Sequence, residues 1–467
     1  MSLAHCQCGF STTSISGFQA MVGFLSVYGH PDPKSKTGWN MGTTPQQLAA
    51  SFVNFGTMIG ILCAQPIGNY LGRRQGLWLA SVVSVLGSGL QLKSSNVAGL
   101  YARRIIIGMS NGLFMTFAKE YTVESAPVHL KRGIISLYAV WISFGCLLGA
   151  VTNKFTEHIH TSWAYKIPLT CHIAIPSLLA ALLVFVPESP CWLLKRGKVG
   201  EARRSLAVLR DRTPAPDILE KEMFEMGLCI EVQQERGRRS RYLNLDIWRG
   251  CSRRRTILCL AVILSNSSSG IWLMLSYGTV VFQLAGFKQA FQASIYNNLA
   301  NLLGTIIGLY LCSRMNRRTM LMAGHFVPAL CMLGVAVSFT FDSEAGYARM
   351  VVLVLLIAHG FFYYAFSSVL SAPLCNELVS SRYQVVTTGT GTAINYVLAW
   401  LIAFTMPYFI NPRELNWGPK VAYIWAASNI LTGCFFFFFL PETKGLTNEE
   451  VDDIFQNPRP ASRAEGG

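Results

Sequence analysis

The chain has 467 residues, of which 51% are hydrophobic and only 13% charged. Soluble domains carry about 25% charged residues, so this composition excludes a soluble fold. The net charge of +15 does not point to nucleic acid: segment 195–256 alone holds 16 Lys/Arg and 9 Asp/Glu, or 16 − 9 = +7, between apolar blocks. Basic segments in that position face anionic lipid, so the expected partners are the bilayer and a small molecule, with no nucleic acid.

A spanning helix needs roughly 20 mostly apolar residues. In chain order, twelve stretches meet this: 8–28, 46–66, 76–93, 98–119, 133–152, 167–187, 257–284, 293–312, 319–341, 350–375, 385–410 and 421–440. Some are rich in Gly, Ser and Thr, which let transmembrane helices approach closely. Runs such as Val351–Ile357 and Phe435–Leu440 do not alternate with period two, which excludes a β-barrel. The expected fold is an all-α membrane protein of twelve transmembrane helices in two pseudo-symmetric six-helix bundles. Residues 1–194 form the first bundle, 195–256 a loop, 257–445 the second bundle and 446–467 a tail. Within the loop, residues from Glu201 to Leu209 read as an amphipathic helix broken by Pro214 and Pro216, and 217–235 as a second helical stretch. The basic loop orients both termini to the cytoplasm.

Marks recur between the halves. Pro187-Glu188-Ser189-Pro190 returns as Pro441-Glu442-Thr443-Lys444, and Arg73-Arg74 as Arg317-Arg318. Glu124 with Arg132 returns as Glu377 with Arg382. A six-span unit built twice is the layout of a secondary carrier, with its substrate at the seam between the halves. Charges at the ends of several helices that pair in one state and part in the other make a bistable latch. Thirteen cysteines and eight histidines form no metal-binding pattern. No nucleophile elbow or P-loop occurs, so neither an enzyme nor a cofactor is expected, and a monomer is the default.

Taken together, the motifs resemble the sugar porter branch of the major facilitator superfamily, over Gly9 to Phe455. They are Gly72-Arg73-Arg74, Arg104-Ile-Ile-Ile-Gly108, Tyr121-Thr-Val-Glu124-Ser-Ala-Pro127 with Arg132-Gly133, Pro187-Glu188-Ser189-Pro190 with Trp192-Leu193, Tyr277 through Phe282 with Ala285-Gly286, and Pro441 to Gly445. Glu377 to Arg382 and Pro407 to Gly418 are similar to the fungal α-glucoside and hexose permeases. The resemblance implies a latch of Arg73, Arg74, Glu124, Arg132, Glu188, Arg317, Arg318, Glu377, Arg382 and Glu442. It implies sugar contacts from Asn266, Ser267, Asn301 and Asn395; amides suit hydroxyl-rich ligands because they both donate and accept. Trp272 is a further candidate contact, able to stack on a sugar face, as is Trp400.

Departures from the pattern shape the expectation. Ser11 stands where proton-coupled members have an aspartate, Asn69 and Ser313 replace acids of the arginine motifs, and Cys191 replaces an arginine. Ala139 or Val140 and His172 stand where glutamines are expected, so sugar contacts from the first half should be depleted. The expected function is transport of a sugar or sugar-like molecule by alternating access, as a facilitator, in the plasma membrane. The alternatives are import or export of a fungal secondary metabolite or glycoside, and a non-transporting nutrient sensor.

Overall fold

The computed structural model describes residues 1–31, 38–93, 96–127, 131–210, 219–228, 230, 231, 250–287, 289–341, 346–379, 384–411, 413–446, 450 and 455. Arg382 lies outside these residues, and so does the side chain of Arg132.

The first half contains six spans. The first is Ser2–Phe18 continued by Val22–Tyr28, the second Thr43–Leu71, the third Arg73–Lys93, the fourth Val97–Ser125, the fifth Lys131–Thr156 and the sixth Trp163–Leu183. Helices Pro190–Lys195 and Val199–Leu209 follow in the loop, where 219–228 is also helical. The seventh span is Gly250–Ser268 continued by Ile271–Leu284, the eighth Ala290–Arg314 and the ninth Arg317–Phe341. The tenth joins Gly346–Tyr363, a π turn Tyr364–Ser368 and Val369–Leu378; the eleventh is Gln384–Ile410 and the twelfth Ala422–Phe439. Among the described residues the only strands form a two-residue ribbon, His30–Pro31 against Trp39–Asn40.

Among the described residues, ten helical stretches are long and apolar enough to cross a membrane. The first span falls short because its opening helix has 17 residues, and the fourth, at 29 residues, carries Arg103, Arg104, Lys119, Glu120 and Glu124. Several boundaries differ from the sequence expectation. The stretch expected at 8–28 is helical from Ser2, and that expected at 167–187 stops at Leu183. The stretch expected at 257–284 is already helical from Gly250 and breaks at Gly270, whose φ of 83° is left-handed. A Cβ there would lie 2.8 Å from the Trp425 ring, so both conformation and space call for glycine.

Small residues set the packing. On the second and fourth spans, a Cβ at Gly56, Gly60, Gly108 or Gly112 would come within 2.2–2.4 Å of a carbonyl oxygen of the partner helix. Gly9 and Gly145 play the same part between the first and fifth spans, each 2.0 Å from a partner carbonyl by the same measure. Lipid offers no hydrophobic drive between helices, so such close backbone approach is what holds the bundle. The buried apolar side chains fall into four clusters, one near each end of each half: around Phe117 and Leu77, around Phe24 and Tyr165, around Leu374 and Phe436, and around Phe282 and Met332. The halves meet where the first span packs on the seventh, the second on the eleventh and the fifth on the eighth.

Candidate functional site

Two matching charge clusters sit on the side of the long loop. The segment after the sixth span turns Glu188 back over the start of the third. Its Oε1 accepts from the backbone N–H groups of Arg73 (2.9 Å), Arg74 (3.0 Å) and Ser189 (2.9 Å). Those of Arg73 and Arg74 open a helix and have no carbonyl partner within it, so the carboxylate satisfies them and complements the helix dipole. The Arg73 side chain, 5% exposed, points the other way, 3.0 Å from Glu124 and 3.5 Å from Glu120. Ser189 donates to Glu124 as well. Arg74 donates to the carbonyls of Leu183 (2.9 Å) and Val184 (3.1 Å), fastening the end of the sixth span.

The second half repeats this. Glu442 accepts from the backbone of Arg317 (2.9 Å), Arg318 (3.1 Å) and Lys444 (3.0 Å), and Arg317 pairs with Glu377 at 3.1 Å. Thr443 donates to Glu377 at 2.9 Å, the counterpart of Ser189. The bonds named here each stay within one half. Cys191, where an arginine was expected, leaves its thiol 3.8 Å from the Glu124 carbonyl oxygen. The loop brings Arg210 to the same helix end, where it donates to the Ser125 carbonyl (3.0 Å) and pairs with Glu222 (2.6 Å). The sequence reading did not single out Arg210; no local motif marks it.

At the seam, Ser267 donates to the Asn395 side-chain oxygen at 2.8 Å, joining the seventh and eleventh spans. Tyr363 of the tenth span donates to the Asn266 side-chain oxygen. The Trp272 ring meets Tyr396 edge-on with centroids 5.6 Å apart, and the Tyr396 hydroxyl reaches Met115 of the first half at 3.1 Å. Three of the five expected contacts, Ser267, Trp272 and Asn395, therefore meet between the seventh and eleventh spans, while Asn266 faces the tenth. Asn301 lies apart from them, on the eighth span. It lines a cavity between the halves with Asn297, Asn298, Ser294, Thr13 and Ser16. Gly360 of the tenth span leaves room for this group: a Cβ there would lie 2.3 Å from the Asn301 side-chain oxygen.

Asn301 was expected, but the rest of its polar stripe, Ser294, Asn297, Asn298 and Thr305, was missed in the sequence, although the spacing puts all five on one helix face. Tyr363 was also missed. The first half also brings polar side chains to the seam. Thr13 and Ser16 line the cavity, and Ser16 accepts from the Thr279 backbone N–H at 3.2 Å. Ser143 and Thr305 meet across the seam at 3.0 Å, and Asn111 donates to Ser11 at 3.0 Å. Around this seam the side-chain oxygens of Asn297 and Asn301 and the ring N–H groups of Trp272 and Trp400 are buried without a partner. Both acceptors and donors thus stand ready for a ligand with hydroxyls. At the end remote from the long loop, Asn411 donates to Thr43 (3.2 Å) and Gln46 (3.1 Å), and Thr43 donates to Glu414 (3.2 Å). Those bonds join the start of the second span to the segment that follows the eleventh.

Two helical bundles joined at a polar seam, each with a charge cluster on the same face, define a secondary carrier of the major facilitator fold. The chain matches the family described as "Sugar (and other) transporter" over residues 1–455 and belongs to that family, whose members are multi-pass membrane transporters. It is 28% identical to the "Major facilitator-type transporter ecdD" of Aspergillus rugulosus, covering 96% of this chain and 84% of that one. It is 27% identical to the "Low-affinity glucose transporter HXT3" of Saccharomyces cerevisiae, covering 96% and 79%. Among solved structures, the proton:xylose symporter XylE bound to 6-bromo-6-deoxy-D-glucose superposes with a TM-score of 0.77 at 20% identity, covering 97% of both chains. An inward-open form of XylE from E. coli gives the same TM-score and identity.

Proposed function

We propose that the protein carries a monosaccharide or a compound of similar hydroxyl pattern across the plasma membrane by facilitated diffusion, with both termini in the cytoplasm. The single observation that carries the sugar reading is the seam itself, where the unpartnered amide oxygens of Asn297 and Asn301 line a small cavity between the halves. The matching family and the glucose-transporting relatives support the same cargo. Ser11 supports the facilitator reading: its hydroxyl accepts from Asn111 and does not titrate near neutral pH, so it supplies no proton to couple. Residues 1–194 and 257–445 act as the two rocking bundles. Residues 195–256 brace the cytoplasmic face, the latch residues hold each helix end as the bundles move, and 446–467 form a tail.

The test is uptake in a transporter-deficient yeast supplied with labelled hexoses, with and without an uncoupler. Uptake of a hexose that survives the uncoupler is expected. Sugar entry that acidifies the cytosol and collapses with the uncoupler overturns the facilitator reading. Changing Asn301 or Asn395 to alanine should raise the KM about tenfold, the effect of one hydrogen bond worth about 1.4 kcal/mol. Unchanged kinetics in both variants would remove these residues from the site.

A further inference from the structure

Arg104 lies in the fourth span at 2% exposure, and its Nε is buried without a partner. No hydrogen bond or ion pair to Arg104 is recorded among the described residues; its guanidinium rests over the Phe18 ring, 5.6 Å from the centroid. The sequence explains why no carboxylate meets it. Between residues 1 and 187 the only acids are Asp32, Glu120, Glu124 and Glu157. Asp32 lies outside the described residues. Glu120 and Glu124 lie with Arg73 at the other end of the span, about 24 and 30 Å from Arg104 at 1.5 Å per residue. Glu157 is paired with Lys154 at 2.5 Å. An arginine inside a bilayer is costly unless its charge is matched, and guanidinium stays protonated there.

The surroundings of Arg104 are polar and incompletely paired. The third and fourth spans run antiparallel, with Gly87 against Ile106 and Ile107, so Gln91, one turn further on, stands level with the Arg103–Arg104 pair. Gln91 is fully buried, and neither its side-chain oxygen nor its nitrogen has a partner. One turn below, His172 bonds Ser88 through Nδ1 at 2.7 Å and leaves Nε2 buried and unpartnered. Arg104 acts electrostatically on this ring. A buried cation beside unpartnered polar groups is what a bound anion would complete.

We propose that Arg104, with the Gln91 amide, holds a compact monovalent anion inside the first bundle, either free chloride or the carboxylate of the transported molecule. The guanidinium supplies the charge and a fork of N–H donors, and Gln91 adds a neutral donor at the same level. The site lies among the first, third, fourth and sixth spans, apart from the sugar-facing amides of the seventh, eighth and eleventh. The proposal rests on the transport reading only for the carboxylate source.

The test uses the purified full chain in detergent, with thermal unfolding followed as sodium chloride replaces sodium methanesulfonate at constant ionic strength. A parallel series adds sodium glucuronate, with glucose as the uncharged control. Chloride is expected to raise the unfolding temperature saturably, and Arg104→Gln to abolish that response. Gln91→Leu, which keeps the charge, should raise the half-saturating concentration about tenfold, and it serves if Arg104→Gln does not fold. If only glucuronate stabilises the protein and Arg104→Gln removes the effect, the anion is the cargo's carboxylate. Equal responses in the wild type and both variants, or no response to either anion, overturn the proposal. Because the readout is binding, this outcome is separate from failure to transport sugar.

Discussion

Replacing Gly108 by leucine is expected to abolish the folded carrier. A Cβ at this position would fall 2.2 Å from the Val53 carbonyl oxygen and 2.9 Å from the Gly56 Cα, both backbone atoms that cannot turn aside. The second and fourth spans would have to separate, losing the reciprocal contacts of Gly56, Gly60 and Gly112 together. Overpacking typically costs 1–3 kcal/mol, and a clash with backbone along a whole helix pair lies at or above about 3 kcal/mol. The measurement is the monodisperse fraction after detergent extraction, with the unfolding temperature of whatever remains. Gly89→Leu is the control: nothing lies within 4 Å of its added Cβ, and it should behave as wild type. A Gly108→Leu protein as stable as that control would show that the two spans do not pack as described.

The second large effect concerns Glu188. One carboxylate oxygen takes three backbone N–H groups, two from the first turn of the third span. Glu188→Ala leaves those donors without their acceptor. Hydrogen bonds to a charged group contribute about 1.5–3 kcal/mol each, and water entering at the loop side offsets much of the loss. A net destabilisation of about 2–3 kcal/mol is expected. Glu188→Gln should cost less, because its amide oxygen still accepts while the charge that favours a helix N-terminus is gone. Uptake should fall in maximal rate with little change in KM, since the residue lies remote from the seam amides. Glu442→Ala should give the same pattern in the second half, where its carboxylate takes the N–H groups of Arg317 and Arg318. A raised KM with unchanged maximal rate would contradict a role at the helix ends.

The two charge clusters show how far residue patterns carry. Glu188 and Glu442 stood out because a short Pro-Glu motif recurs at a fixed offset. Their placement over Arg73 and Arg317 follows from local chain geometry, a helix start met by an incoming acidic turn. The seam was less legible. Ser267 pairs with Asn395, and Asn266 with Tyr363, because polar groups are scarce in apolar spans and pair when they meet. Asn301 falls instead with Asn297 and Asn298, whose face could be read from helical spacing but whose direction toward the first half could not. Arg210 lies on a loop helix with nothing local to mark its target, the end of the fourth span.

What the sequence by itself determined is the material: twelve helical spans, their duplication, the basic loop and the scarcity of acids in the first half. These follow from apolar length, charge placement and recurrence, all of which act locally along the chain. The tertiary structure alone decided which side chains face each other. It put a break at Gly270 because the Trp425 ring leaves no room for a Cβ, and it set Tyr363 against Asn266 across two spans. It also left Arg104 buried with no acid in reach among the described residues, because the rotation and level of each helix are fixed by backbone contacts at glycines far apart in the chain.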